Sequence, residues 1–326
     1  MRTSVGRLRL PKTKGKPMTD TPSYAFLGPV GTFCHQALSQ VAPPEATIVP
    51  CAGERAAMDA TRSGRTRYTV VPIENSVEGG VTATLDSLAW GKRLQIVREI
   101  VVPVSFTLAA RPGVTLDDVE RIGTHSHAWA QCRNWMTDTL PGAQHTPTTS
   151  TAEAARLLAE GYDGFQACLS SAIATSLYGL TTLRADVADN PGAITRFVML
   201  SLPGHLPEPT GADKTTIQVR LPRNHAGALH QLLEQFRTRG VDLTRIESRP
   251  VAGQPGAYGF SIDLAGHVCE ERVQAALVGV YRTCDDVRFL GSYPRADGRA
   301  NAIEPGTSDE DFRAARAWVD ALFTQG

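Results

Sequence analysis

The run Ile194-Thr195-Arg196-Phe197-Val198-Met199-Leu200 places a hydroxyl and a guanidinium side by side in an otherwise apolar, strand-like segment. An arginine in a core does not go unpaired. It either meets a glutamate in a structural ion pair or greets an anionic ligand, whose carboxylate its planar fork suits. Spacing alone leaves both open. The stretch Pro72-Ile73-Glu74-Asn75-Ser76-Val77-Glu78-Gly79-Gly80 crowds acid, amide and hydroxyl at the end of a predicted buried strand, where α/β proteins hold ligands. Asn75 and Ser76 suit a cap on the next helix equally well. Gly28-Pro29-Val30-Gly31-Thr32-Phe33 lies between a predicted strand and a helix. Its glycines would let backbone N–H groups approach a carboxylate or phosphate, although pattern alone favours a plain structural turn. It matches neither glycine-rich nucleotide motif. Thr124-His125-Ser126-His127 offers two imidazoles. No Cys or carboxylate stands at a zinc-like spacing, however, so no metal is expected. Thr124 or His125 can hydrogen-bond in a crevice, while His127 is expected in solvent.

The whole chain supplies no field to help these groups. Its 326 residues carry 33 Lys+Arg against 33 Asp+Glu, so nucleic acid and anionic membrane surfaces are not expected partners. An anionic ligand must be held by a few local donors. The six cysteines are scattered without a C-x-x-C pair, which reads as reduced thiols of a cytoplasmic protein. No apolar run approaches the roughly 20 residues that span a bilayer. Residues 1–22 carry six basic side chains before Pro17 without an apolar stretch, and read as a disordered basic tail rather than a secretory signal. Met18 is a second candidate start.

Two architectures position the motifs. Up to about residue 203, short β-branched strands alternate with helical patterns, as in Tyr24-Ala25-Phe26-Leu27, Tyr68-Thr69-Val70-Val71 and Phe165 to Leu169. This is α/β alternation with mostly parallel strands. Ser150-x-x-Glu153 is a capping box for the helix that Gly161 ends. The Pro/Gly-rich run from Pro203 to Gly211 reads as a linker, placed at 204–213. Beyond it, strand 215–221, helix 226–239, strands 241–247 and 258–264, helix 271–282 and strand 287–291 give βαββαβ, a ferredoxin-like plait over 214–296. A tail over 297–326 holds a short helix, capped by Ser308-x-x-Asp311, with Phe312, Ala315, Val319 and Leu322 expected inward.

Taken in order, these motifs resemble those of the prephenate dehydratases. Gly28-Pro29-Val30-Gly31-Thr32-Phe33 is similar to the family's G-P-x-G-T-F, Pro72-Ile73-Glu74-Asn75-Ser76 to its P-I-E-N-S, and Thr195-Arg196-Phe197 to its T-R-F. Gly227-Ala228-Leu229 and Glu247-Ser248-Arg249-Pro250 resemble the G-A-L and E-S-R-P motifs of an attached ACT regulatory domain. The resemblance implies a two-lobed catalytic domain over 23–203, similar to periplasmic binding proteins, and a cofactor-free conversion of prephenate to phenylpyruvate in phenylalanine biosynthesis. Arogenate dehydration and a non-aromatising decarboxylation are the neighbouring activities. An amino-acid-sensing binding protein without chemistry is the alternative of another class.

Roles follow from the same resemblance. Thr195 would donate to the departing hydroxyl, Arg196 would hold a substrate carboxylate, and Phe197 completes the catalytic motif. Gly31, Thr32, Glu74, Asn75, Ser76, Thr124, His125, Gln131, Ser150 and Thr151 would bind substrate. Asn224, Gly227, Ala228, Leu229, Glu247, Ser248, Arg249 and Pro250 would bind L-phenylalanine where two ACT domains meet, in a homo-oligomer, a dimer or tetramer. Deleting the region after Gly211 would then leave catalysis and remove the phenylalanine response. The chain departs from the pattern in reading Thr124-His125-Ser126-His127 for the family's S-H-P-Q, and Ala226 for the proline of N-x-P-G-A-L.

Overall fold

The computed structural model describes residues 21–222, 225–251 and 258–324. Most of the expected N-terminal tail, and Asn224, lie outside the described residues. The chain first builds part of one lobe: β1 (Ser23–Leu27), α1 (Phe33–Ser39), β2 (Thr47–Cys51), α2 (Glu54–Arg62), β3 (Tyr68–Asn75), the two-residue β4 (Gly79–Gly80), α3 (Thr82–Trp90) and β5 (Gln95–Pro103). It then crosses to a second lobe, with β6 (Thr107–Ala110), β7 (Arg121–Thr124), α4 (Ser126–Gln131), α5 (Arg133–Thr139), β8 (Gln144–Pro147), α6 (Thr151–Ala159), β9 (Ala167–Ser170), α7 (Ala172–Leu177) and β10 (Thr181–Arg184). Finally it returns as β11 (Ile194–Ser201), which enters the first sheet between β3 and β5.

The first sheet has the order β2-β1-β3-β11-β5, with β4 on β3; the second runs β10-β6-β9-β7-β8. In each, three neighbouring strands are parallel, and the strands next to the crossings run antiparallel. The two crossings touch: the Val104 N–H donates to Ala193 O at 2.8 Å and the Val187 N–H to Phe106 O at 2.9 Å. Two lobes joined by paired crossings form the two-lobed fold of periplasmic binding proteins. The strands β1, β3 and β11 are apolar on both faces because helices or neighbouring strands cover both. Tyr24, Phe26, Val70 and Phe197 pack on the α1 side, and Ala25, Val71, Ile73 and Val198 on the α2 and α3 side.

After an irregular stretch come β12 (Asp213–Arg220), α8 (Ala228–Arg237), β13 (Leu243–Pro250), β14 (Tyr258–Ala265), α9 (Glu271–Thr283) and β15 (Asp286–Pro294). The all-antiparallel order β13-β14-β12-β15 is that of the ferredoxin-like plait. Successive strand residues face opposite ways. Ile217, Val219, Ile262 and Leu264 therefore pack beneath α8 and α9, while Thr216, Gln218, Ser261 and Asp263 occupy the reverse face. That polar face is pressed against the first lobe: Gln218 Nε2 donates to Leu85 O at 3.0 Å, and Arg288 Nη1 to Leu88 O and Gly91 O at 2.8 Å each. Leu290 and Tyr293 of β15 belong to the first lobe's own core. Gly291 makes this approach possible, since at its φ of +140° a Cβ would lie 2.3 Å from Ile96 O on β5.

The last helix, α10 (Asp309–Leu322), packs on α9, partly through Arg313 and Arg316 with Glu271. Its apolar residues correct the sequence expectation. Val319 and Leu322 are exposed and Phe312 only partly covered, because the ion pairs rather than an apolar stripe face α9. Among the described residues no helix is long and apolar enough to cross a membrane.

Candidate active site

Thr195 stands on β11 opposite Asn75 on β3, where the register between the strands slips by one residue between Arg196 and Phe197. A bulge of this kind re-aims side chains beside a site. Thr195 and Phe197 face a cavity of about 270 Å³ between the lobes, lined also by Thr32, Asn75, Glu78, His125, His127, Gln131, Ser150 and Thr151. Leu27, Phe33, Pro72, Val104 and Phe106 give it an apolar side.

Asn75 holds the polar end. Its Oδ1 accepts from the Val77 N–H at 2.8 Å and the Glu78 N–H at 3.3 Å, so the amide closes its own turn instead of capping α3. Those two bonds fix which way the amide points, and Nδ2 donates to Thr195 Oγ1 at 3.1 Å. The hydroxyl oxygen is thereby an acceptor already. Its own hydrogen is left to be aimed elsewhere.

Around this pair three helix beginnings meet the cavity wall. Thr32 is the N-cap of α1 and accepts from the His35 N–H at 3.2 Å. His125 is the N-cap of α4, its Nδ1 accepting from the His127 N–H. Ser150 is the N-cap of α6 and accepts from the Glu153 N–H, with Thr151 opening the helix. First-turn amides have no partner inside their helix and carry partial positive charge. Burial pushes the His125 imidazole below its ordinary pKa, and His127 pushes the same way; His125 is therefore neutral at pH 7. Cys34 also reaches the wall, but burial raises its thiol to about 12, so it is no nucleophile at neutral pH. No Lys or Arg lines the cavity among the described residues. An anion there would be met by amides, hydroxyls and imidazoles.

Several expected site residues lie elsewhere. Arg196 is corrected from a carboxylate clamp to a structural ion pair. As the strand neighbour of Thr195 it projects to the opposite face, where every nitrogen is engaged. Nε donates to Glu99, Nη1 to Asp263 at 2.5 Å and Glu74 at 3.3 Å, and Nη2 to Tyr293 at 3.0 Å. Glu74, beside Asn75, shares that reverse face. Ser76 pins the start of β11, exchanging backbone and hydroxyl bonds with Ile194 at 3.0 and 2.9 Å. Thr124 is fully buried, donating to Leu169 O. The Gly31 carbonyl accepts from the Ser171 hydroxyl at 2.8 Å, and a Cβ at its φ of +93° would press on Ala174 of α7, so it joins lobes instead of meeting a ligand.

Glu78 and His127 were not expected at the cleft. The strand ends at Thr124, so His125 and His127 share the mouth of a helix. The rings meet edge to face at 4.9 Å, and His127 Nδ1 lies 2.9 Å from Glu78 Oε1 on the other lobe. The acid in the turn after β3 and the second imidazole were the available signals.

The remaining expected residues sit on the plait. Gly227, at a φ of +86°, opens α8 with Ala228 buried and Leu229 exposed. Glu247, Ser248, Arg249 and Pro250 end β13, with Ser248 and Pro250 exposed. Arg249 reaches the first turn of α3, donating to Thr82 Oγ1 at 3.1 Å and Asp86 at 3.3 Å. Among the described residues no hydrogen bond joins the two segments.

A family model described as prephenate dehydratase matches residues 24–204. A protein named prephenate dehydratase from Amycolatopsis methanolica is 44% identical over 299 residues, covering 91% of this chain and 97% of its own. Among solved structures, a prephenate dehydratase in complex with L-Phe from Arthrobacter aurescens is 50% identical, with a TM-score of 0.88, covering 93% of this chain and 99% of that one. A structure described as GqqA, a novel type of quorum quenching acylases, is 33% identical, with a TM-score of 0.73 over 83% of this chain and 97% of that one.

Proposed function

Since the chain belongs to the prephenate dehydratase family, we propose that its interlobe cavity converts prephenate to phenylpyruvate, with Thr195 as the donor to the leaving hydroxyl. The bond to the ring carboxylate breaks and its electrons enter the ring. Carbon dioxide leaves with that step, and the C–O bond at the far ring carbon breaks in turn, expelling the hydroxyl and leaving an aromatic ring. Hydroxide is a poor leaving group, so it needs a hydrogen bond that strengthens as charge develops and a proton to depart as water. Thr195 offers that hydrogen, and its hydroxyl is restored from water. One observation carries the assignment: Asn75 Nδ2 donates to Thr195 Oγ1, which directs the threonine hydrogen away from Asn75. Asn75, a donor towards that oxygen, is not the base that a nucleophilic threonine would need.

That no Lys or Arg lines the wall, among the described residues, supports the same chemistry. A guanidinium on the departing carboxylate would stabilise the ground state and oppose its loss. Amides at the helix beginnings suit the substrate's carboxylates without locking either one.

The relative in complex with L-Phe supports L-phenylalanine as effector, held by the ACT-type plait at Gly227–Leu229 and Glu247–Pro250. Among the described residues these two segments share no hydrogen bond within one chain, which supports a site completed by a second copy in a homo-oligomer. Incubating the protein with prephenate and following phenylpyruvate absorbance tests the reaction; arogenate is the control for the neighbouring activity. Thr195→Ala should lower kcat by about 10²–10³, the scale for one oriented donor, while Thr195→Ser keeps most of it. An alanine variant at full rate would overturn the assignment of the donor.

A further inference from the structure

We propose that Asp263, on the plait, is a positioning residue for catalysis that fixes Thr195 and Asn75 through Arg196; this rests on the reading of Thr195 as the donor. Asp263 is fully buried and accepts from Arg196 Nη1 at 2.5 Å, Arg245 Nε at 3.0 Å and Thr216 Oγ1 at 2.8 Å. Arg196 is the chain neighbour of Thr195, and Glu74, which it also binds, is the chain neighbour of Asn75. The two pairs form adjacent rungs of the β3–β11 ladder and face opposite ways, next to the register slip. A bulged ladder has a spare degree of freedom, and the ion cluster behind it removes that freedom. Tyr293, whose hydroxyl accepts from Arg196 Nη2 and pairs with Thr216 Oγ1 at 2.6 Å, ties the same guanidinium to β15.

A second contact points the same way. The Glu247 carboxylate lies against Gly80, so closely that a Cβ there would fall 1.8 Å from Oε2. Arg245 Nη1 donates to that carboxylate at 3.2 Å. The plait thus backs both ends of the turn that carries Asn75 and Glu78.

The test is a double-mutant cycle in the full-length chain. Asp263→Asn should lower kcat by about ten- to hundredfold, the scale for a misplaced reacting group, with KM changed by less than about threefold. In a Thr195→Ala background the same change should slow turnover little further, because the group it positions is gone. Full turnover in Asp263→Asn, or an equal loss in both backgrounds, overturns the proposal. Should that variant not fold, Tyr293→Phe, which removes one hydroxyl, is read the same way: a kcat loss that vanishes in the Thr195→Ala background supports positioning, and no loss or an additive one refutes it. Thr195→Ala at full rate would fail the donor reading itself and leave Asp263 nothing to position.

Discussion

Arg196 and Thr195 adjoin in the chain, yet one faces the cavity and the other the plait. The difference is visible in what each variant should do. If Arg196 held substrate, its loss would raise KM. Buried among Glu99, Asp263 and Glu74, it should instead affect stability, and kcat through Thr195 rather than KM: Arg196→Met is expected to lower unfolding free energy by about 3–5 kcal/mol, the cost of leaving buried charges unpaired, measured by urea denaturation. The pH dependence follows from the same groups. Burial alone would raise the Asp263 and Glu99 carboxyls, but Arg196, with Arg245 beside the first and Lys214 beside the second, overrides it and holds both below their ordinary range. A depressed folded pKa gives stability that is full above the unfolded value near about 4 and is lost as pH falls towards the folded one. Asp263→Asn should therefore lose less stability than the wild type between pH 5 and 3, seen in the urea midpoint at each pH. The sequence posed the right alternatives for Arg196, since a lone charge in an apolar strand must be paired. It did not select between them, because Glu99 and Asp263, equally lone acids in β5 and β14, become partners only through tertiary contacts across 97 and 67 residues.

Gly291 is where elements rather than residues decide. Its positive φ and the 2.3 Å approach to Ile96 O leave no room for a side chain. Gly291→Ala should cost about 1–3 kcal/mol from strain and overpacking, lowering the melting temperature while the separate second lobe keeps its structure by hydrogen exchange. Helices and strands with a regular apolar period were plain in the sequence, notably the plait's α8, β14 and α9. The reverse face of its sheet was not. Thr216, Gln218, Ser261 and Asp263 alternate with apolar residues as any half-exposed strand would, and nothing local says that a lobe will cover them. His127 is exposed, as the sequence suggested, yet lines the cleft, because β7 stops at Thr124 and the helix that follows sets its ring beside His125.

At the scale of the molecule, the plait is less detachable than its linker suggested. Removing everything after Gly211 would take away Leu290 and Tyr293 from the first lobe's core, and Asp263 from Arg196. The truncated chain is expected to be inactive and to melt lower, in contrast to the separable-module expectation; circular dichroism with a phenylpyruvate assay checks this. The shared core also bears on how the protein is made. A ribosome delivers Arg196 well before Asp263 and Tyr293 leave the exit tunnel. Until they do, the nascent strand carries a charge still waiting for two of its acceptors, so the newborn enzyme should acquire turnover only once the plait's final strand has cleared the tunnel.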